Sequence, residues 1–96
     1  MSIRMQIQYA GYALQNHGDF MYRYKMVDGD PTPVEISFKN PNCKLGLCII
    51  PIRRGDPIHP AFGWNGNLER PTLTPSIGCD QRCGWHGHIT NGEILP

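Results

Sequence analysis

The chain has 96 residues, a net charge of +1 and 18% charged side chains, enough for one hydrophobic core and no second domain. That charge excludes the strong basic field of most nucleic-acid binders, and no apolar run is long enough for a membrane span or a signal segment. Eleven glycines and nine prolines, spread along the chain, favour turns over helices and predict a mainly β, loop-rich single domain of antiparallel hairpins over residues 1–96.

Ile3, Met5, Ile7 and Tyr9 alternate with Arg4, Gln6 and Gln8, the period of a half-buried strand. The pattern breaks from Gly11 onward, where residues 12–16 have room for one helical turn that His17-Gly18 would end. Phe20, Tyr22, Tyr24 and Met26 then form one face of the clearest strand in the sequence. A turn over residues 28–31 leads to Val34, Ile36 and Phe38, which predict the return strand of a hairpin. After Asn40-Pro41-Asn42 the apolar run 47–52 reads as a strand buried on both faces, closed by Pro51. Residues 53–60 read as loop, with Arg53-Arg54 as a solvated rim. Between 63 and 78, Asn65-Gly66 marks a turn. Pro71 and Pro75 argue against both a helix and a central strand, leaving an extended edge or a packed loop. Asn91-Gly92, between 88–90 and 93–95, is a strong two-residue hairpin signal.

A domain this small needs a staple, and four cysteines with nearby histidines offer one. Structural zinc takes four Cys or His donors in a tetrahedron, often as a pair from each of two loops. Cys43, Cys48, Cys83 and His86 make the predicted set, with Cys79 and His88 as substitutes; Gly46 and Gly84 let the two loops curl. Two other readings stay open. Four cysteines also allow three disulfide connectivities, and Cys48 inside an apolar strand suits a buried free thiol. A cytoplasmic location, expected from the absence of a targeting segment, keeps thiols reduced and favours zinc over disulfides. His17 and His59 read as surface residues, and Trp64 and Trp85 as core residues or stacking surfaces. Thr72, Thr74 and Ser76 alternate along PTLTPS, where their hydroxyls either line a pocket or satisfy backbone groups.

The stretches GWNGNLERPTLTPSI (63–77) and WHGHITNGEI (85–94) resemble a family of small phage, prophage and bacterial proteins. Its members share a Trp-x-Asn/Asp-Gly-Asn-x-Glu-x-Pro-Thr-x-x-Pro-Ser block followed by a His-containing block and an Asp/Asn-Gly hairpin. They also carry an upstream Cys-Pro-x-Cys and His cluster, to which FKNPNCKLGLCIIPI is similar. Asn40 stands where a first cysteine is expected, Cys43 matches the second, Cys48 takes the histidine's place, and His86 matches the downstream histidine. The resemblance implies a compact β domain with a metal-binding end, encoded by a phage or mobile element. It supplies no activity.

The residues and the resemblance together predict a zinc-stabilised binding module, a phage-type accessory protein of the host cytoplasm that sequesters or inhibits a host factor such as a defence protein. Trp64, Asn65, Glu69, Arg70 and Thr72 are its expected binding surface, for a host protein or a small nucleotide; a homo-oligomer is compatible with this reading. The alternative is a metal-dependent hydrolase with an open zinc position, Glu69 or Glu93 as base and His88 as shuttle. A nucleic-acid-binding zinc module is the third reading, and it lacks the usual basic face. No His-x-Glu, His-Glu-x-x-His or Ser-His-Asp pattern stands out in the linear sequence, so no catalytic residue is assigned.

Overall fold

Two short turns organise the chain. Asp28-Gly29 and Asn91-Gly92 place all four residues at positive φ (51°, 84°, 50° and 75°), the geometry of a two-residue turn whose twist matches the strands it joins. The first turn links β3 (Asp19–Val27) to β4 (Asp30–Lys39), and the second links β8 (Trp85–Thr90) to β9 (Glu93–Leu95). The computed structural model describes residues 2–8, 14, 16–42, 47–52, 62–79 and 84–95, excluding the side chain of Cys79. Among these residues the other strands are β1 (Ile3–Arg4), β2 (Gln6–Ile7), β5 (Leu47–Pro51), β6 (Gly63–Trp64) and β7 (Leu73–Cys79). They form a five-stranded sheet in the order β1-β9-β8-β7-β6 and a four-stranded sheet in the order β2-β3-β4-β5. The mainly β, single-domain expectation is met. No helix among the described residues is long and apolar enough to cross a membrane.

The alternating N-terminal stretch serves both sheets. Ile3 and Arg4 pair antiparallel with Ile94 and Glu93, while Gln6 and Ile7 pair parallel with Asp19 and Phe20. Met5, buried between them, donates its N–H to the Gly92 carbonyl at 2.9 Å. The sheets stack face to face over one core, with Phe20, Ile36 and Phe38 from one and Leu73, Ile77 and Ile89 from the other. The Phe38 ring meets Trp85 edge-on at 5.7 Å, and Tyr22 meets Trp64 at the same distance across the other end. The predicted one-turn helix over 12–16 falls mostly outside the described residues.

Two strand expectations are corrected. The run 47–52 is not buried on both faces: Cys48 and Ile50 point into the core, while Leu47 and Ile49 on the opposite face are 45% and 56% exposed. A strand in a sandwich of two sheets packs on the core with one face, whatever its apolar content. The stretch that the prolines seemed to exclude from a central strand is β7, which lies between β6 and β8. Pro71 precedes the strand, and Pro75 falls where the ladder to β8 is irregular, so its missing N–H costs no regular ladder bond.

Inside β8 the inward positions are Trp85, Gly87 and Ile89, and the Trp85 indole folds over Gly87. A Cβ at position 87 would sit 2.6 Å from Trp85 Cζ2 and would collide with the Leu95 carbonyl. Gly87→Ala is therefore expected to cost about 1–3 kcal/mol by overpacking, read as a lower urea midpoint at unchanged m-value.

A second prediction concerns Tyr22, whose hydroxyl donates to the Leu68 carbonyl at 2.9 Å. Burial pushes its pKa well above the ordinary tyrosine value. The folded state thus holds this proton more tightly than the unfolded chain does. The stability it contributes is complete below the unfolded tyrosine value of about 10 and is lost as pH rises above it. Denaturation curves between about pH 9 and 12 should show a steeper loss of stability in the wild type than in Tyr22→Phe, which has no phenolic proton to lose. Parallel slopes would contradict this.

Candidate active site

The irregularity in β7 positions its outer face. Leu73 is opposite Ile89 and Ile77 is opposite Gly87, so Thr74, Pro75 and Ser76 together face the single residue His88. A bulge of this kind frees backbone from the ladder and re-aims side chains. Beyond it the pairing is regular, with Gly78 opposite His86 and Cys79 opposite Trp85. Because Trp85 and Gly87 point inward, His86 and His88 project from the outer face, on the side of the sheet that carries Ser76.

Ser76 Oγ lies 3.2 Å from His86 Nε2. The two are diagonal neighbours across β7 and β8, a relation that normally needs a long side chain to bridge. The imidazole lies across Gly78 on its way to Ser76: a Cβ built at position 78 would meet His86 Cδ2 at 3.7 Å, an ordinary van der Waals contact. His86 is exposed and Ser76 half-buried, which leaves the pair open to a ligand. A hydroxyl within hydrogen-bond reach of an imidazole nitrogen is the pairing through which serine becomes a nucleophile and histidine its general base. The base role requires the tautomer with Nε2 unprotonated.

Of the four predicted zinc ligands, Cys48 and His86 lie among the described residues. Cys43 and Cys83 lie outside them, as does the side chain of Cys79. Cys48 is buried in β5 and disulfide-bonded, and a sulfur in that bond is not the thiolate that zinc takes as a ligand. His86 contacts Ser76, and His88 is exposed two residues further along the same face. No group of three or more His, Cys, Asp or Glu that could hold a metal ion occurs among the described residues. Asn40, matched by resemblance to a cysteine position, is fully buried and accepts the Asn42 N–H on its side chain at 2.9 Å.

The expected binding surface divides into two parts. Asn65 and Thr72 hold the loop together at the surface: Asn65 Oδ1 accepts the N–H groups of Asn67 and Thr72, and Asn65 Nδ2 donates to the Arg70 carbonyl. Thr72 Oγ1 accepts the Asn91 N–H at 2.8 Å, which ties this loop to the β8–β9 hairpin. Trp64 packs on Tyr22. Glu69 and Arg70 are exposed and join Arg4 and Glu93 in an open polar cleft of about 470 Å³ beside Asn91-Gly92. That cleft is at the far end of β8 from His86, so Glu69 and Glu93, expected as bases of a zinc hydrolase, are not beside the Ser76–His86 pair.

Ser76 is the residue that sequence reasoning missed. Its hydroxyl was expected to line a pocket or serve the backbone, and it instead faces a histidine. The available signal was a proline inside a strand-forming stretch next to a histidine-bearing strand, which marks a bulge at a site. No curated protein and no solved structure matches the chain. Residues 28–96, which include β7, β8 and both residues of the pair, match the family model described as "Bacterial ubiquitination-like system serine protease (BubE)", and the chain belongs to that family.

Proposed function

We propose that this protein is a serine hydrolase of a bacterial ubiquitination-like system, cleaving an amide or ester bond at a carbonyl presented to Ser76. The observation that carries this reading is the 3.2 Å contact between Ser76 Oγ and His86 Nε2, and the family description agrees with it. His86 Nε2 takes the hydroxyl proton as Ser76 Oγ bonds to the carbonyl carbon, whose oxygen gains the negative charge. The tetrahedral adduct collapses by expelling the amine or alcohol, which leaves with the proton from His86 Nε2. Water then attacks the acyl-serine, again giving its proton to His86, and the acid departs as Ser76 recovers its hydrogen. This is the hydrolase class weighed in the sequence, with a serine hydroxyl as the nucleophile in place of zinc-bound water.

A fluorophosphonate probe tests the proposal directly, since it forms a stable bond only with a serine made nucleophilic by its surroundings. The expected result is one adduct per chain, mapped by tandem mass spectrometry to Ser76 and absent in His86→Ala. An unlabelled protein, or an adduct spread over several serines and threonines, would remove the reading.

A further inference from the structure

A second cavity, of about 430 Å³, opens at the end of the sandwich and shares His86 with the candidate site. Leu95 of β9 pairs with His88, and the cavity lies beyond that pair, beside Trp85 and His86. The turn of the opposite sheet closes the far wall, where Asn42 Nδ2 donates to the Gly84 carbonyl at 3.3 Å and ties the two sheets together. Ile3, Pro41, Trp85 and Ile94 make the walls apolar, with Asn42 and His86 as the polar members.

We infer that this cavity is a substrate subsite, taking a branched aliphatic or aromatic side chain within one or two residues of the scissile bond. The inference rests on the Ser76–His86 reading and adds the class of residue recognised. His86 belongs to both features: its Nε2 contacts Ser76 Oγ, and the same residue lines the cavity, so the apolar space adjoins the reacting pair. An extended peptide advances about 3.3 Å per residue, so a chain with its carbonyl at Ser76 brings a neighbouring side chain past the imidazole within one or two steps. The volume is within the range of pockets that hold small ligands, and the apolar walls with few polar groups suit a hydrocarbon side chain rather than a charged one. Filling such a pocket with the right side chain alters kcat/KM by about 10- to 200-fold.

The test uses the full chain and internally quenched peptides that differ only at the residues flanking the scissile bond, with Leu, Phe, Ser or Asp at each. Leu and Phe are expected to exceed Ser and Asp by at least about tenfold in kcat/KM at one of these positions. Ile3→Trp, which fills the cavity, should lower turnover of the Leu and Phe peptides to the level of the others. Ile3→Ala, which enlarges it, should shift the preference from Leu toward Phe. Titration of N-acetyl-leucinamide, followed by NMR at the Ile3 amide and the Trp85 indole, reads the cavity without any catalysis. Ser76 labelling without peptide preference or NMR shifts would overturn the subsite and leave the hydrolase intact. Shifts without Ser76 labelling would overturn the substrate assignment along with the hydrolase, identifying a pocket for a free apolar ligand.

Discussion

Ser76→Ala is expected to lower kcat/KM for a p-nitrophenyl ester or a peptide substrate by about 10³-fold or more, with the fold unchanged. The hydroxyl contributes little to stability, because Ser76 is half-buried and its contact with His86 is solvent-exposed. Its deletion should therefore cost no more than about 1 kcal/mol. Catalysis loses the only atom that bonds to the substrate carbonyl, so the acyl-enzyme route disappears rather than slows. His86→Gln should be nearly as damaging: an amide can hydrogen-bond to Ser76 but cannot take the proton and return it to the leaving group. Combining the two should add little, as groups acting in one step are not additive. Retention of more than about a tenth of the activity in Ser76→Ala, with native circular dichroism, would show that the serine is not the nucleophile.

The two hairpins were legible in the sequence because each is a local statement: alternating apolar residues on both sides of Asp28-Gly29 and Asn91-Gly92, two pairs that adopt positive φ readily. The inward placement of Phe20, Ile36 and Phe38 followed from the same alternation. The run 47–52 was misread because apolar content does not say whether anything covers a strand's second face, and Leu47 and Ile49 are exposed on that face. β7 was misread for a different reason. A proline removes one N–H, and a bulge provides a position where that N–H has no ladder partner.

The Ser76–His86 pair was the least legible feature, since it depends on pairing register. Shifting the residues after the bulge by one position would turn Gly78 away from His86 and move the serine off that face. Nothing in the spacing of Ser76 and His86 records that register. The cysteines illustrate a different gap. Spacing marks which cysteines lie near each other in sequence, but it is silent on whether a sulfur is thiolate or disulfide, and Cys48 is the latter.

Phe38→Ala should produce the largest stability loss among single core truncations at the junction of the two sheets, about 3–5 kcal/mol. Phe38 is fully buried in β4, flanked by β3 and β5, and its ring supports the edge of Trp85 from below. Removing the ring loses its transfer energy and leaves a void that the surrounding backbone, hydrogen-bonded on both sides, cannot readily close. Domains are stable by about 5–15 kcal/mol in total, so this change leaves a small one near the threshold of unfolding. By contrast, Met26→Ala at a position 64% exposed should stay within about 0.5 kcal/mol, which controls for the general effect of shortening a side chain. Urea titrations followed by circular dichroism give both numbers. The substitution also bears on the site, because Trp85 directly precedes His86 and its packing fixes where β8 begins. A Trp85 ring released into the void loosens the imidazole before the sheet unfolds. Hydrolysis by Phe38→Ala should therefore fall at urea concentrations where circular dichroism is still native, whereas in the wild type the two signals should be lost together. Coincident loss in the variant would show that Trp85 holds His86 only through the global fold.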